Sequence, residues 1–304
     1  MFLTRKRGLI TWIAAAITSL LLVIGLPLLN QTAEKAQAAV TLRVFAAVSL
    51  SEVLPEIESA FIAANPSLGA TFVNTFDSSG ALLNQINLPA NQSAGIPDIF
   101  ISAATTQMTS LQTAGQLASG WPVTIATNRL VLIRPNTPTS PAPSPTIAGI
   151  DRLTNSTTSS PPRTGIRGIA IGDPATVPAG AYAQQALQST LSGCGAGSYN
   201  TLLNSPTANK LVFASNVRNV LAAVQNKTLS GNTIDAGLVY TTDQRISNST
   251  TFITTVAQNC HSSIVYPAAV LNRTTNLTAA TSFANFLSSS TARGRFTTRG
   301  FGTP

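Results

Sequence analysis

Histidine is almost missing from this chain of 304 residues, with His261 the single example, and cysteine occurs only at Cys194 and Cys260. One imidazole and two cysteines at no motif spacing cannot build a zinc site, which usually takes three or four protein ligands. Cys260 and His261 are neighbours in sequence, a poor geometry for a nucleophile and its base. Charge is scarce as well: 9% of the residues are Asp, Glu, Lys or Arg. Asp77, Asp98 and Asp173 have no partner base or metal ligands, and they stand beside proline or at strand edges, where they read as caps and turn formers. No Lys/Arg run interleaved with aromatics offers a nucleic-acid surface. The formal charge of +8 is therefore a mild field for anions and otherwise ordinary solubility. No internal repeat is visible, and no bare metal ion or catalytic set is expected.

What is present begins at the N-terminus. Arg5, Lys6 and Arg7 form a basic region, followed by an apolar run from Leu9 to Leu29 and the small-x-small signal Ala36-Gln37-Ala38. That order predicts a signal peptide over 1–38 and a periplasmic or other extracytoplasmic location after cleavage. An uncleaved membrane anchor is the alternative, since the run is about as long as a spanning helix requires. No cysteine follows the run, which argues against a lipid anchor. In an exported chain, Cys194 and Cys260 can close one disulfide or remain two thiols.

Beyond residue 38 the chain alternates strand and helix patterns. Strands are expected at Thr41–Ala47, Ala70–Thr75, Asp98–Ser102, Asn128–Ile133, Gly168–Ile171, Lys210–Ala214, Asp235–Tyr240, Phe252–Val256 and Ile264–Leu271. Helices are expected at Leu50–Ala64, Gly80–Asn87, Thr106–Ala114, Ala181–Leu191, Arg218–Asn226, and from Thr281 towards Phe296. The alternation predicts an α/β fold with parallel sheets. Residues 135–165 are rich in Pro, Ser and Thr and read as a long surface loop, or loops around a short helix.

Four of these helices start where a strand has just ended: after Ser49, after Ser79, after Ala179-Gly180 and after Val217. Each start offers backbone N–H groups without intrahelical partners and a partial positive charge. In open α/β sheets that edge is where ligands sit. Ser49, Ser79 and Tyr240 add hydroxyl donors. Taken singly, a serine at a helix start is an ordinary N-cap.

The segments Val44-Phe45-Ala46-Ala47-Val48-Ser49-Leu50, Phe76-Asp77-Ser78-Ser79-Gly80, Gly172-Asp173-Pro174 through Val177-Pro178-Ala179-Gly180-Ala181-Tyr182, Asn216-Val217-Arg218, Gly237-Leu238-Val239-Tyr240 and Tyr266-Pro267-Ala268 resemble the periplasmic molybdate-binding proteins of ABC importers. The resemblance implies two α/β lobes of the periplasmic-binding-protein kind, joined by two hinge crossovers near 122–130 and 246–268. It places lobe one at 39–125 and 251–304 and lobe two at 126–250. It implies that Ser49, Ser79, the N–H groups of Ala179 and Val217, and Tyr240 hold a molybdate or tungstate oxyanion, with no cofactor. It also implies a monomer that delivers this ligand to a membrane permease. Gly80-Ala81 replaces a family Ser-Thr beside Ser79, and extra residues around Leu229–Thr233 lengthen the path to Tyr240. Two other readings stand beside this one. A hydrolase using Ser49 lacks a base and a Ser-x-x-Lys motif. A carrier of sulfate or phosphate would use the same donors, and pocket size would decide it.

Overall fold

The computed structural model describes residues 39–155, 163–204 and 210–304. The expected signal peptide and residues 156–162 of the Pro-rich segment lie outside the described residues. In chain order the first part holds β1 (Val40–Ala47), α1 (Leu54–Ala64), β2 (Ala70–Asp77), α2 (Ser79–Ile86), α3 (Pro89–Ser93), β3 (Ile99–Ile101), α4 (Thr105–Thr113) and β4 (Val123–Thr127). The middle holds β5 (Leu130–Pro135), β6 (Gly168–Gly172), α5 (Pro178–Gln188), α6 (Tyr199–Leu203), β7 (Lys210–Ala214), α7 (Val217–Asn226), β8 (Thr228–Leu229), β9 (Asn232–Thr233), β10 (Ala236–Tyr240), α8 (Thr241–Arg245) and β11 (Thr250–Thr255). The last part is β12 (Val265–Val270), α9 (Leu277–Phe286) and α10 (Ser290–Thr298).

Among the described residues two five-stranded sheets form, ordered β2-β1-β3-β12-β4 and β11-β5-β10-β6-β7. From Val44 onward β1 is buried on both faces, Val44 and Ala46 on one and Phe45 and Ala47 on the other, as a central parallel strand requires. It pairs in parallel with β2 and β3. Helix α1 turns Leu54, Ile57 and Phe61 inward. The Phe61 ring sits 5.2 Å from Phe283 and 5.4 Å from Phe286, which fastens α9 to the same face.

Both sheets are mixed, whereas the alternation predicted parallel ones. β4 and β12 pair antiparallel in the first sheet, and β5 runs antiparallel to β10 and β11 in the second. Only Asn128 and Arg129 separate β4 in the first sheet from β5 in the second, so the strands at the crossing enter their sheets without the helical crossover that joins parallel neighbours. The chain changes sheet there and again between Thr255 and Val265. Thr250–Thr255 pairs with Pro135–Val131, so residues 251–255 belong to the second sheet and not, as expected, to lobe one. An apolar run announces a strand but does not name its neighbour.

Several helix starts also move. The segment after β1 is a 3-10 turn, Val48–Leu50, and α1 begins only at Leu54. Helix α5 begins at Pro178, three residues before the expected start, because proline suits the first turn. The Pro-rich segment is anchored where it is described. Asp235 accepts from the Arg167 backbone N–H at 2.6 Å and from its Nη2 at 2.9 Å, and it also accepts from Thr139. Arg167 Nη1 donates to Ser140 O at 2.9 Å. The extra residues before β10 form the β8–β9 hairpin.

Candidate functional site

Each of the five expected donors comes to the seam between the two sheets. Ser49 sits in the 3-10 turn that ends β1, and Ser79 is the first residue of α2. Ser78, not Ser79, is the N-cap, its Oγ accepting from Ala81 N at 3.4 Å. The Ser79 hydroxyl is therefore released from capping. Its oxygen accepts from Ala103 N at 2.9 Å, which leaves its own hydrogen to donate elsewhere. Ala179 follows Pro178 in the first turn of α5, and Val217 opens α7 behind Asn216, whose side chain caps the helix through Asn219 N at 3.0 Å. N–H groups this early in a helix have no carbonyl four residues back. Tyr240 ends β10.

Ser49, Ser79, Ala179, Val217 and Tyr240 line one cavity of about 10 Å³, together with Ala47, Asp77, Ala103 and Val177 among others. That is room for the centre of roughly one water-sized group. The five donor residues are at most 4% exposed. Tyr240 Oη is buried and has no hydrogen-bond partner among the described residues, an arrangement that costs free energy unless a ligand completes it. Burial first, then the neighbouring Tyr266, Tyr182 and Asp243, holds its ionisation well above the usual tyrosine value, so it remains a donor. No Lys, Arg or His lines the cavity. The chemistry on offer is a compact ring of neutral donors suited to a small oxyanion, with the Asp77 carboxylate beside it already engaged by Ser78 N and Asn216 Nδ2.

Contacts across the seam show the lobes closed on this point. Gly80 N donates to Thr176 O at 2.9 Å, and Asn216 Nδ2 to Asp77 Oδ1 at 3.2 Å. Arg218 pairs with Glu52 across the seam and places Nη2 3.5 Å from Ser49 O. Its Nε lies 3.0 Å from Asp243 Oδ1. Asp243 also accepts from Tyr240 N at 2.9 Å. Burial pushes the Asp243 carboxyl up to about 6, against the pull of Arg218 and the Tyr240 N–H.

Residues 42–302 match the sequence profile of the bacterial extracellular solute-binding proteins. The chain belongs to that family. It is 32% identical over 287 residues to the putative ABC transporter substrate-binding lipoprotein YvgL of Bacillus subtilis, covering 94% of this chain and 95% of that one. It is 32% identical over 259 residues to the molybdate-binding protein ModA of Escherichia coli, covering 85% and 87%. Among solved structures, the substrate-binding domain of a putative molybdenum ABC transporter from Clostridium difficile superposes with a TM-score of 0.58 at 30% identity, over 88% of this chain and 100% of that one. The two-lobed α/β architecture of this solute-binding protein is thus the fold of its relatives.

Sequence reasoning missed the residues behind the donors. Tyr266 Oη lies 2.9 Å from Ser49 Oγ and accepts from Asn128 Nδ2 at 3.1 Å. Asn128 Nδ2 also donates to Thr242 Oγ1 at 2.9 Å. A buried tyrosine in an otherwise apolar strand was the available signal. Tyr182, one helical turn beyond Ala179, donates to Ala103 O at 3.4 Å and so ties α5 to the first lobe. Cys194 and Cys260 are joined, their Cα atoms 5.6 Å apart. The bond links the segment after α5 to the second crossover. His261, next to it, packs its ring 5.7 Å from Tyr182. Burial lowers its pKa, which keeps the ring neutral. Among the described residues no cluster of His, Cys, Asp and Glu could hold a metal ion, and no helix is long and apolar enough to cross a membrane.

Proposed function

We propose that this solute-binding protein captures molybdate, and tungstate equally, outside the cytoplasm and delivers it to the permease of an ABC importer. The observation that carries the reading is the cavity itself. Two serine hydroxyls, the first-turn N–H groups of α5 and α7, and an unpartnered Tyr240 hydroxyl meet at one buried point without any cation. Fixed donors of this kind hold an anion through oriented dipoles in a dry site, where they act far more strongly than in water. The relatives named for molybdate support the choice of anion. The ligand would touch both lobes, so its full set of hydrogen bonds exists only in the closed form, and that difference in affinity drives closure. The closed pair of lobes is then the surface the permease recognises. Residues 1–38 act as the export signal in this reading, and the protein works as a monomer.

A thermal-shift panel of molybdate, tungstate, sulfate and phosphate tests it. Molybdate and tungstate should raise the melting temperature alike, since they share charge, shape and nearly the same size. At ~100 times the dissociation constant the gain is about 2.7 kcal/mol. A shift with sulfate or phosphate and none with molybdate overturns the assignment of the anion. No shift with any of the four overturns the cradle.

A further inference from the structure

A second cavity, of about 580 Å³, lies at the hinge and shares no lining residue with the cradle. Its walls come from both crossovers, from α8 and from the C-terminal segment, and they carry Arg129, Arg245, Gln258, Ser263 and Thr303. No carboxylate lines it. Arg152, Arg167, Arg218 and Arg299 each pair with a carboxylate, whereas among the described residues the Arg129 and Arg245 side chains make no ion pair or hydrogen bond. Both residues are exposed, so water and salt screen them from each other, and what they offer the cavity is two guanidinium groups free to take an anion.

The walls are built rather than incidental. Gly300 has φ of +93°, and a Cβ there would stand 2.7 Å from Arg245 Cδ and 2.9 Å from its Nη1. The lack of a side chain at Gly300 lets Arg245 lie against the C-terminal segment. That segment is itself fixed to the first crossover, with Gly302 N donating to Thr127 O at 3.0 Å and Thr127 N to Gly302 O at 2.8 Å. The volume falls within the roughly 300–1,000 Å³ of metabolite sites. Phe301 and Ile264 supply apolar wall, and the hydroxyl and amide groups supply polar contacts.

We propose that this hinge cavity binds a small organic anion bearing carboxylate or phosphate groups, gripped by Arg129 and Arg245. Guanidinium forks pair with carboxylate and phosphate oxygens two at a time. Asn128, which also lines the cavity, donates to Tyr266 and through it reaches Ser49.

The test is calorimetric titration of the purified protein, saturated with one equivalent of molybdate, with citrate in one arm and glycerol 3-phosphate in the other. Glycerol serves as the uncharged control. At least one anion should bind with a dissociation constant below the millimolar range, and glycerol should not. Arg129→Gln with Arg245→Gln should weaken that binding more than tenfold while molybdate affinity stays within twofold of the parent. Repeating the titration without molybdate on Ser49→Ala should leave the anion affinity unchanged, so failure of the molybdate reading and failure of this site appear in different columns. No binding in either arm, or binding that survives the double substitution, overturns the proposal.

Discussion

The first lobe meets the cradle with side chains and the second lobe meets it largely with backbone. Ser49 and Ser79 bring hydroxyls whose oxygens are already engaged, one with Tyr266 and one with Ala103 N, so their orientation is set before any ligand arrives. From the second lobe, Ala179 and Val217 offer N–H groups that are fixed by their helices and indifferent to the side chain. Tyr240 is the exception, a second-lobe side chain with no partner of its own. The difference teaches where mutation can reach. A hydroxyl can be deleted by alanine, but a helix N–H yields only to proline.

The largest effect should come from parting the two halves. A Cβ at Gly80 would lie 2.5 Å from Thr176 O, a backbone atom that cannot swing aside. Gly80→Ala should cut molybdate affinity at least ~100-fold by calorimetry, about 2.7 kcal/mol. An affinity near the parent's would mean that the observed seam is not the binding form.

Next come the donors themselves. Hydrogen bonds to charged groups contribute roughly 1.5–3 kcal/mol, so Ser49→Ala and Ser79→Ala should each weaken binding about tenfold to a hundredfold. Val217→Pro should match them, because proline fits a first helical position and removes only the N–H. Asn216 before it is already extended, as a residue preceding proline must be. Val217→Ala should leave affinity within threefold. If alanine and proline behave alike there, the backbone assignment is wrong.

The tyrosines sharpen the contrast further. Tyr240→Phe should lower affinity about tenfold yet leave the ligand-free protein as stable as before or more so, since it removes a buried hydroxyl with no partner among the described residues. Tyr266→Phe should lower the melting temperature of the ligand-free protein too, because Asn128 and Ser49 lose a shared partner. Equal effects on ligand-free stability would erase the distinction.

The smallest effect on binding should come from Glu58, inside the first lobe and remote from the cradle. Burial pushes its carboxyl up to about 7, with Asn74 pulling the other way. Its folded value lies above the ordinary 4.5. The native state therefore favours the protonated form, and this contribution is full below pH 4.5 and lost as pH rises through about 7. Glu58→Gln should stabilise the protein at pH 8 by on the order of 2 kcal/mol, change little near pH 4, and leave molybdate affinity alone. A stabilisation that does not depend on pH would contradict the buried carboxylate.

Strand ends and helix starts were legible in the local pattern, but the gathering of Ser49, Ser79, Ala179, Val217 and Tyr240 at one point was implied only by the resemblance, because spacing along the chain does not encode convergence. The Gly-Asp-Pro and Val-Pro-Ala-Gly pattern pointed at Ala179 although the helix start itself was misjudged. Tyr266 and Asn128 were not legible. Tyr266 reaches Ser49 across 217 residues of sequence, and no local periodicity encodes such a partner. Gly80 read as a missing hydroxyl, whereas the structure makes it a point of contact with Thr176. The Pro-rich segment read as a surface loop, or loops around a short helix, with nothing in the local pattern to show its anchor, because the Arg167–Asp235 pair that holds it joins positions 68 apart.

The clustering of phenols gives the protein a built-in optical signal. Of four tyrosines in the chain, Tyr240 lines the cradle, Tyr266 packs its ring 6.3 Å away, and Tyr182 bonds the Ala103 carbonyl at its edge. Trp121 lies elsewhere, against the first-lobe core. A phenol that acquires a hydrogen bond shifts its near-ultraviolet absorption. Capture of the oxyanion should therefore be written into the tyrosine band of an unlabelled sample, with the tryptophan band as an internal standard that stays still.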